Sequence, residues 1–170
     1  ADTARFDCPA GLALDTQGRV LVADEGSSCL RRVTSEGETT TIGGADGPEL
    51  DGPARGIMRA RDGTVFVTHS DRINMLSADG TVAVLAGGDH GFEDGRGEAA
   101  RFDCPTGIAE GPDGRIYVAD RYNHSIRRID REGSVSTVAG RPWEVDGDDE
   151  EPIEPRASID GDLTAARFND

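Results

Sequence analysis

The chain repeats its own sequence at an interval of 96 residues, and no other feature limits its possible folds as strongly. Residues 4–9 and residues 100–105 both read Ala-Arg-Phe-Asp-Cys-Pro, and the similarity continues beyond them without a gap. A weaker copy lies between the two. Glycines recur at corresponding positions of the three copies, namely Gly11, Gly18, Gly37 and Gly44, then Gly56, Gly63, Gly80 and Gly87, then Gly107, Gly114, Gly133 and Gly140. The interval therefore holds two repeats of about 48 residues, a length that indicates a stack of similar units.

Each copy predicts four short β-strands. In the last copy they lie at about 107–109, 115–119, 125–129 and 134–138, in segments rich in β-branched residues and bounded by turn pairs such as Asp-Gly. Glycine suits such tight turns because it adopts positive φ angles at little cost. Four-stranded units at this period are typical of the blades of a β-propeller. We therefore predict an all-β chain of four-stranded antiparallel blades.

The length of the chain accommodates three blades, at about residues 1–44, 45–88 and 89–142. Propellers usually close with about 4–8 blades, so three blades make a partial or half ring. Three explanations stay open: a piece of a longer propeller, two copies that join as half-rings, or an arc that a different protein closes. In the second case the chain is a homodimer, and in the third it is a subunit of a larger complex.

Residues 143–170 are predicted to hold an acidic insertion and then a connector to a fourth blade. The connector is recognised because Asp160-Gly161 and Ala165-Ala166-Arg167-Phe168 repeat Asp94-Gly95 and Ala99-Ala100-Arg101-Phe102. The acidic run at 144–154 lacks the ligand spacing of an EF-hand loop. We predict a solvated insertion, with a loop that binds a cation or a basic partner as the alternative.

The third blade is similar to the NHL repeat, a family named for an Asn-His-Leu triplet at the position of Asn123-His124-Ser125. The first blade follows the same pattern with Ser27-Ser28-Cys29 at the triplet. The second blade departs further, because one turn is two residues shorter and Thr68-His69 replaces Ala-Asp. This resemblance implies a propeller over about residues 1–142.

The resemblance also implies a choice between two kinds of function. Proteins with similar repeats commonly hold another protein, and in some cases RNA, at the top face or rim of the ring. Other related propellers are lyases or lactonases with a metal at the central axis. The innermost strands read Gly11-Leu12-Ala13, Gly56-Ile57-Met58 and Gly107-Ile108-Ala109, which are apolar and alike. Because an axial metal needs polar ligands from several blades, we predict a non-catalytic protein-binding or scaffold module without a cofactor, with the metal-dependent enzyme as the alternative.

The charge of the chain narrows the range of partners. The net charge is −15, and all 18 basic residues are arginine. Such an acidic balance disfavours nucleic acid and anionic lipid as partners, because both require a basic surface. The longest apolar run, residues 82–86, has five residues, far short of the roughly 20 needed to cross a bilayer. Protein partners are therefore predicted, the three cysteines are expected to be free thiols, and the compartment is left open.

Binding residues are expected in the loops that follow the second strand of each blade, because these loops differ most between blades. The candidates are Glu25, Ser27 and Ser28, then His69, Asp71 and Arg72, then Arg121, Tyr122, Asn123 and His124, together with Trp143 as an exposed anchor. Asp24 and Asp120 recur at one repeat position, which predicts a structural role, as acceptors of backbone N–H groups in the following turn. The alternative makes them metal ligands or bases.

Overall fold

The computed structural model describes residues 4–44, 50, 52–77 and 81–140. Trp143, the acidic run and the connector at 160–168 lie outside the described residues. The strands are β1 Pro9–Leu14, β2 Val20–Asp24, β3 Cys29–Val33, β4 Thr39–Gly44, β5 Ala54–Arg59, β6 Val65–His69, β7 Arg72–Leu76, β8 Val82–Ala86, β9 Gly95–Arg96, β10 Pro105–Glu110, β11 Ile116–Asp120, β12 Ser125–Ile129 and β13 Ser134–Gly140. No helix in this part of the chain is long and apolar enough to cross a membrane.

The strands form three antiparallel sheets, which confirms the predicted four-stranded blades. Blade 1 has the order β1-β2-β3-β4, blade 2 the order β5-β6-β7-β8, and blade 3 the order β10-β11-β12-β13-β9. The short turn of blade 2 is also confirmed, since His69 pairs directly with Arg72 whereas Asp24 pairs with Cys29. Blade 3 differs from the prediction in having a fifth strand. The two residues of β9 pair with Ser134 and Val135 along the outer edge of β13.

The apolar cores lie between blades rather than inside them. One cluster joins blades 1 and 2, with Leu21, Leu30, Ile57 and Val67 among its buried members. A second cluster joins blades 2 and 3, and includes Phe66, Phe102, Ile116 and Ile129. Each blade therefore depends on its neighbours for most of its hydrophobic stabilisation, as repeat proteins generally do.

The free side of blade 1 shows what an uncovered face looks like. Leu12 and Leu14 of β1 are 68% and 57% exposed. Ile57, which holds the place of Leu12 in blade 2, is only 6% exposed because blade 1 packs against it. The equivalent apolar surface of blade 2 is therefore buried by a neighbouring blade, whereas that of blade 1 is exposed in the described residues.

A buried ion pair ties blade 3 to the connector that precedes it, residues 87–104. Asp120 and Arg127 are both fully buried, and their Oδ2 and Nη1 atoms are 2.7 Å apart. Arg127 also donates to the carbonyl oxygen of Glu93 and to the carboxylate of Asp94, at 2.7 and 2.8 Å. Its guanidinium lies between the rings of Phe92 and Phe102, 4.7 and 5.0 Å from their centroids.

The structural role predicted for Asp24 and Asp120 agrees with their burial, but the predicted donors were wrong. Each carboxylate accepts an N–H from the segment before the first strand of its blade, namely Asp7 and Asp103, both at 2.8 Å. From the following turn, Asp120 receives a side-chain donor, the amide of Asn123 at 2.8 Å. The donors come from the distant segment because the first strand of each blade begins beside the end of the second.

Aspartates also hold the exposed turns. The Oδ1 atoms of Asp15, Asp62, Asp113 and Asp130 each accept a backbone N–H from the residue two positions later. Burial acts to raise the pKa of all four carboxyls, most strongly at Asp15, but hydrogen bonds to the ionised form outweigh it and lower each pKa. The glycines that follow, Gly18, Gly63, Gly114 and Gly133, have φ angles between 77° and 93°, as the turn prediction requires.

These turns predict acid sensitivity. A carboxyl whose pKa is lower in the folded state stabilises the fold above its ordinary pKa of 3.8, and this stability is lost as the pH falls through the lowered value. We therefore expect urea unfolding, followed by circular dichroism, to show a falling free energy of unfolding below about pH 4. A variant with Asn at 15, 62, 113 and 130 keeps the acceptor oxygens but cannot ionise there, so its pH dependence should be shallower. An unchanged pH dependence would contradict this role.

Candidate functional site

The three innermost strands open onto a cleft of about 380 Å³ at the inner edge of the arc. Each strand contributes three consecutive residues, and two loops complete the lining. The lining residues are Ala10, Gly11 and Leu12 of β1, Arg55, Gly56 and Ile57 of β5, Thr106, Gly107 and Ile108 of β10, and Glu25 and Arg121 of the loops after β2 and β11. The cleft thus lies at the end of the blades where the second strands finish.

Glycine at the middle position allows the innermost strands to approach one another closely. A Cβ atom on Gly11 would overlap with the carbonyl oxygen of Arg55, and one on Gly56 would overlap with that of Thr106. The N–H of Gly56 donates to the hydroxyl of Thr68 at 2.7 Å, and this hydroxyl lies 3.0 Å from the Thr106 carbonyl oxygen. The cleft therefore has a wall of closely packed backbone, which a larger residue would push apart.

Three charged side chains surround the cleft. The Nε of Arg55 in blade 2 lies 2.9 Å from the carboxylate of Glu25 in blade 1, and both side chains are partly exposed. Arg121 of blade 3 is exposed, and its guanidinium lies 5.0 Å from the centroid of the Tyr122 ring. The cleft is therefore lined by two guanidiniums and one carboxylate in a protein whose net charge is −15.

The thiol of Cys104 lies near the charged groups of this cleft. Burial raises the pKa of Cys104, Arg55 and Arg121 act in the opposite direction, and Asp103 and Glu25 raise it further. Cys8 lies at the same position of blade 1. Its pKa is also raised, mainly by a hydrogen bond between its thiol and Asp7. All three cysteines are free, as predicted. With raised pKa values the thiols stay protonated at neutral pH, so they add no negative charge to the cleft.

Two of the predicted loop residues line the cleft, and the others lie around it. Glu25 and Arg121 belong to the lining. Tyr122 is 50% exposed beside Arg121, while Ser28 and His124 occupy matching turn positions with φ angles of 48°. Ser27 is half-buried in the same turn as Ser28.

The remaining predicted residues have structural contacts. His69 is buried at the end of β6, and Asn123 donates to the carbonyl oxygen of Gly91 at 2.9 Å. Asp71 accepts the N–H of Cys104 at 3.2 Å, and Arg72 donates to the carbonyl oxygen of Gly88 at 3.4 Å. Asn123, Asp71 and Arg72 therefore hold the connector between blades 2 and 3.

The sequence interpretation missed Arg55 and Thr106. It compared the innermost strands from their glycines onward and found them apolar and alike. The residue before each glycine differs instead, with Ala10, Arg55 and Thr106 at equivalent positions. The residue that precedes this glycine, which is polar in two blades and differs among all three, would have indicated the site.

The described part of the axis does not fit a metal centre. Ala10, Arg55 and Thr106 supply a methyl group, a guanidinium and a hydroxyl, whereas protein metal sites use carboxylate, imidazole or thiolate ligands. Among residues 4–44, 50, 52–77 and 81–140, no group of three His, Cys, Asp or Glu side chains comes together.

The stacked antiparallel sheets of four to five strands place the protein in the β-propeller class. Residues 6–32 and 102–129 match the family model of the NHL repeat. The chain therefore carries NHL repeats, and the two matches fall in blades 1 and 3. Blade 2, with its shorter turn and His69, lies outside both matched ranges.

Two curated proteins are similar to this chain in sequence. The chain is 31% identical to Protein SUPPRESSOR OF QUENCHING 1, chloroplastic, of Arabidopsis thaliana over 152 residues, which cover 75% of this chain and 14% of the relative. It is 43% identical to NHL repeat-containing protein 2 of Gallus gallus over 75 residues, or 43% of this chain and 10% of the relative. The chain thus spans a small part of the length of these relatives.

Solved structures with similar folds include both binding proteins and enzymes. An auxiliary nutrient binding protein from Bacteroides ovatus superposes with a TM-score of 0.72 at 19% identity, covering 99% of this chain and 43% of that chain. Virginiamycin B lyase from Staphylococcus aureus gives 0.60 at 20% identity, covering 80% and 42%. A chain of the nidogen–laminin complex gives 0.60 at 28% identity, covering 78% and 48%.

Proposed function

We propose that this chain is a protein-binding module whose axial cleft receives a carboxylate-bearing segment of a partner protein. The observation that carries the proposal is the pair of guanidiniums, Arg55 and Arg121, at the rim of a cleft formed by three blades. Arginine binds carboxylates well because its planar donors match the two oxygens.

The surroundings of the cleft support a protein ligand. Its wall combines exposed backbone of the innermost strands with the apolar side chains of Leu12, Ile57 and Ile108, which suits an extended peptide. Tyr122 adds a half-exposed aromatic ring at the rim, a residue type enriched in protein interfaces. The similarity to a chain of the nidogen–laminin complex, a complex between proteins, agrees with this reading.

Glu25 gives the proposal a regulatory detail. Its carboxylate pairs with Arg55 at 2.9 Å, so an incoming carboxylate must compete with it there. Removing the charge of Glu25 should therefore strengthen the binding of an acidic peptide, whereas removing the charge of Arg121 should weaken it. Opposite effects from two neighbouring rim residues are hard to obtain from misfolding.

The test is an array of extended decapeptides in which every sequence with Asp or Glu has a partner with Asn or Gln. We expect the protein to retain acidic members over their amide partners. For the best peptide, Arg121→Gln should weaken binding about tenfold or more and Glu25→Gln should strengthen it a few fold, the size of charged hydrogen bonds. Arg61→Gln is the matched control, because Arg61 is exposed at the opposite end of the blades.

Two results would overturn the proposal. In the first, no acidic peptide is retained over its amide partner. In the second, Arg121→Gln binds like Arg61→Gln, so that the attraction comes from arginine in general rather than from the cleft.

A further inference from the structure

Two loop residues that line the axial cleft hold equivalent positions in blades 1 and 3 but carry opposite charges. Glu25 directly follows β2 and Arg121 directly follows β11, and the 96-residue repeat relates the two positions. Ser70 holds the same place in blade 2, after β6. A carboxylate and a guanidinium therefore lie at corresponding points of the cleft.

Blade 2 lies between these two charges. Its innermost strand, β5, packs against β1 on one side and against β10 on the other. The middle of the cleft is formed by Arg55, Gly56 and Ile57 of this strand. Glu25 therefore lies at the blade-1 end of the cleft, and Arg121 lies at its blade-3 end.

The carboxylate of Glu25 can accept a second cation without releasing Arg55. Its Oε1 atom lies 2.9 Å from the Nε atom of Arg55, and the described residues supply no other ion pair to it. The side chain of Glu25 is 34% exposed. Because the two oxygens of a carboxylate offer about four acceptor positions, the Oε2 atom can take a donor from a ligand.

The equivalent cysteines near the two ends of the cleft are surrounded by different charges. A hydrogen bond to Asp7 and the charges of three carboxylates, those of Asp7, Glu25 and Asp24, raise the pKa of Cys8 in blade 1. Burial raises the pKa of Cys104 in blade 3, where the largest effects of charge are those of the two guanidiniums of the cleft, which lower it. The blade-1 end of the cleft is therefore more negative than the blade-3 end.

A segment with charges of both signs matches this cleft better than a purely acidic segment. An ammonium or guanidinium group would bind the Glu25 carboxylate, while an acidic side chain binds Arg121. We infer that the partner segment carries a basic residue for Glu25 in addition to the acidic residue for Arg121, an inference that rests on the proposed function. The partner is then an extended protein segment with two opposite charges, one at each end of the cleft.

The size of the blades limits the distance between these two charges. Packed sheets lie about 10 Å apart, so blades 1 and 3 are separated by about 20 Å or less. The innermost strands are closer together than whole sheets, because Gly11 and Gly56 lie against the backbone of the following blade. An extended chain rises about 3.3 Å per residue, so the basic and acidic residues of the partner are expected about three to six positions apart.

A lysine scan of the best acidic decapeptide tests this partner. Each position other than the essential acidic residue is changed to Lys and, in a second peptide, to Gln, and binding to the full chain is measured by fluorescence anisotropy. At one or more positions about three to six residues from the acidic residue, Lys should bind about fivefold more tightly than Gln, the size of one partly exposed ion pair. At the other positions Lys should bind like Gln.

Glu25→Gln separates this contact from the proposed function. The variant is expected to bind the parent acidic peptide more tightly, but it should lose the whole advantage of Lys over Gln. Glu36→Gln is the matched control, because Glu36 is exposed in the turn between β3 and β4, at the opposite end of blade 1. This control should keep the advantage of Lys.

The outcomes distinguish the two proposals. If acidic peptides bind through Arg121 but no lysine position gains affinity, or if the gain persists in Glu25→Gln, this inference is wrong and the proposed function stands. If no acidic peptide is retained over its amide partner, the proposed function is wrong and this inference is wrong with it.

Discussion

Replacing Arg127 with methionine is expected to lower the free energy of unfolding by about 3–5 kcal/mol, because it leaves a buried carboxylate without its charged partner. Asp120 would keep the N–H of Asp103 and the amide of Asn123, but it would lose the guanidinium 2.7 Å away. The Asp94 carboxylate would lose a partner as well, so the connector would bind blade 3 less firmly. Chemical unfolding followed by circular dichroism measures the loss.

The same substitution at Arg31 is the matched control. Arg31 occupies the equivalent position of blade 1 but is half-buried, with a long hydrogen bond of 3.4 Å to the carbonyl oxygen of Arg5 and a second to the thiol of Cys29. Arg31→Met should therefore cost about 1 kcal/mol. Equal losses at the two positions would show that burial of the pair does not determine its contribution.

A second variant and the pH separate charge from packing. Asp120→Asn in combination with Arg127→Met removes both charges, so the double variant should lose about half as much stability as Arg127→Met or less. Burial already raises the pKa of Asp120, and the loss of Arg127 raises it further. The penalty of Arg127→Met should therefore shrink as the pH falls towards this raised pKa, since the protonated carboxyl carries no charge. A pH-independent penalty would point to packing instead.

Substituting Gly56 with alanine is expected to destabilise the fold by about 3 kcal/mol, near the upper end of what overpacking usually costs. The added methyl group would overlap with the carbonyl oxygen of Thr106 and would lie 3.0 Å from the Thr68 hydroxyl. That hydroxyl links blades 2 and 3, so the innermost strands would have to separate. The free energy of unfolding and the retention of acidic peptides should both fall.

Gly107 is the matched control for Gly56, because it holds the same repeat position in blade 3. A Cβ atom there would meet only the Cβ of Ala119, at an ordinary 3.7 Å. Gly107→Ala should therefore change the stability of the monomeric chain by less than about 1 kcal/mol. An equal loss at both positions would mean that the backbone conformation of the strand, rather than the close approach of the neighbouring blade, requires glycine.

The contrast between these two glycines shows which structural features the repeat pattern predicts and which it does not. The repeat predicted the blades, their strands, and glycines in the turns with positive φ. It also marked Gly11, Gly56 and Gly107 as equivalent, but among the described residues only Gly11 and Gly56 lie against the backbone of the following blade. The need for glycine depends on whether another blade packs against that strand, and this is a property of the arc rather than of any one repeat.

The cleft was predictable only in part for the same reason. Glu25 and Arg121 were recognised because their loops differ between blades, yet nothing local indicated that they share one cleft. They are 96 residues apart and meet because three innermost strands lie side by side. Arg55 was missed because the compared segment began one residue after it.

The sequence by itself determined the local architecture, because the turn glycines, turn aspartates and β-branched runs act within a few residues of one another. Tertiary structure decided whether each Asp and Arg form a buried ion pair. Asp24 with Arg31 and Asp120 with Arg127 have the same spacing and the same strands, but in the described part of the chain only Asp120 and Arg127 form an ion pair. The physical reason is that an ion pair is defined by the groups and the solvent around it, and the connector with Asp94 supplies these groups to blade 3.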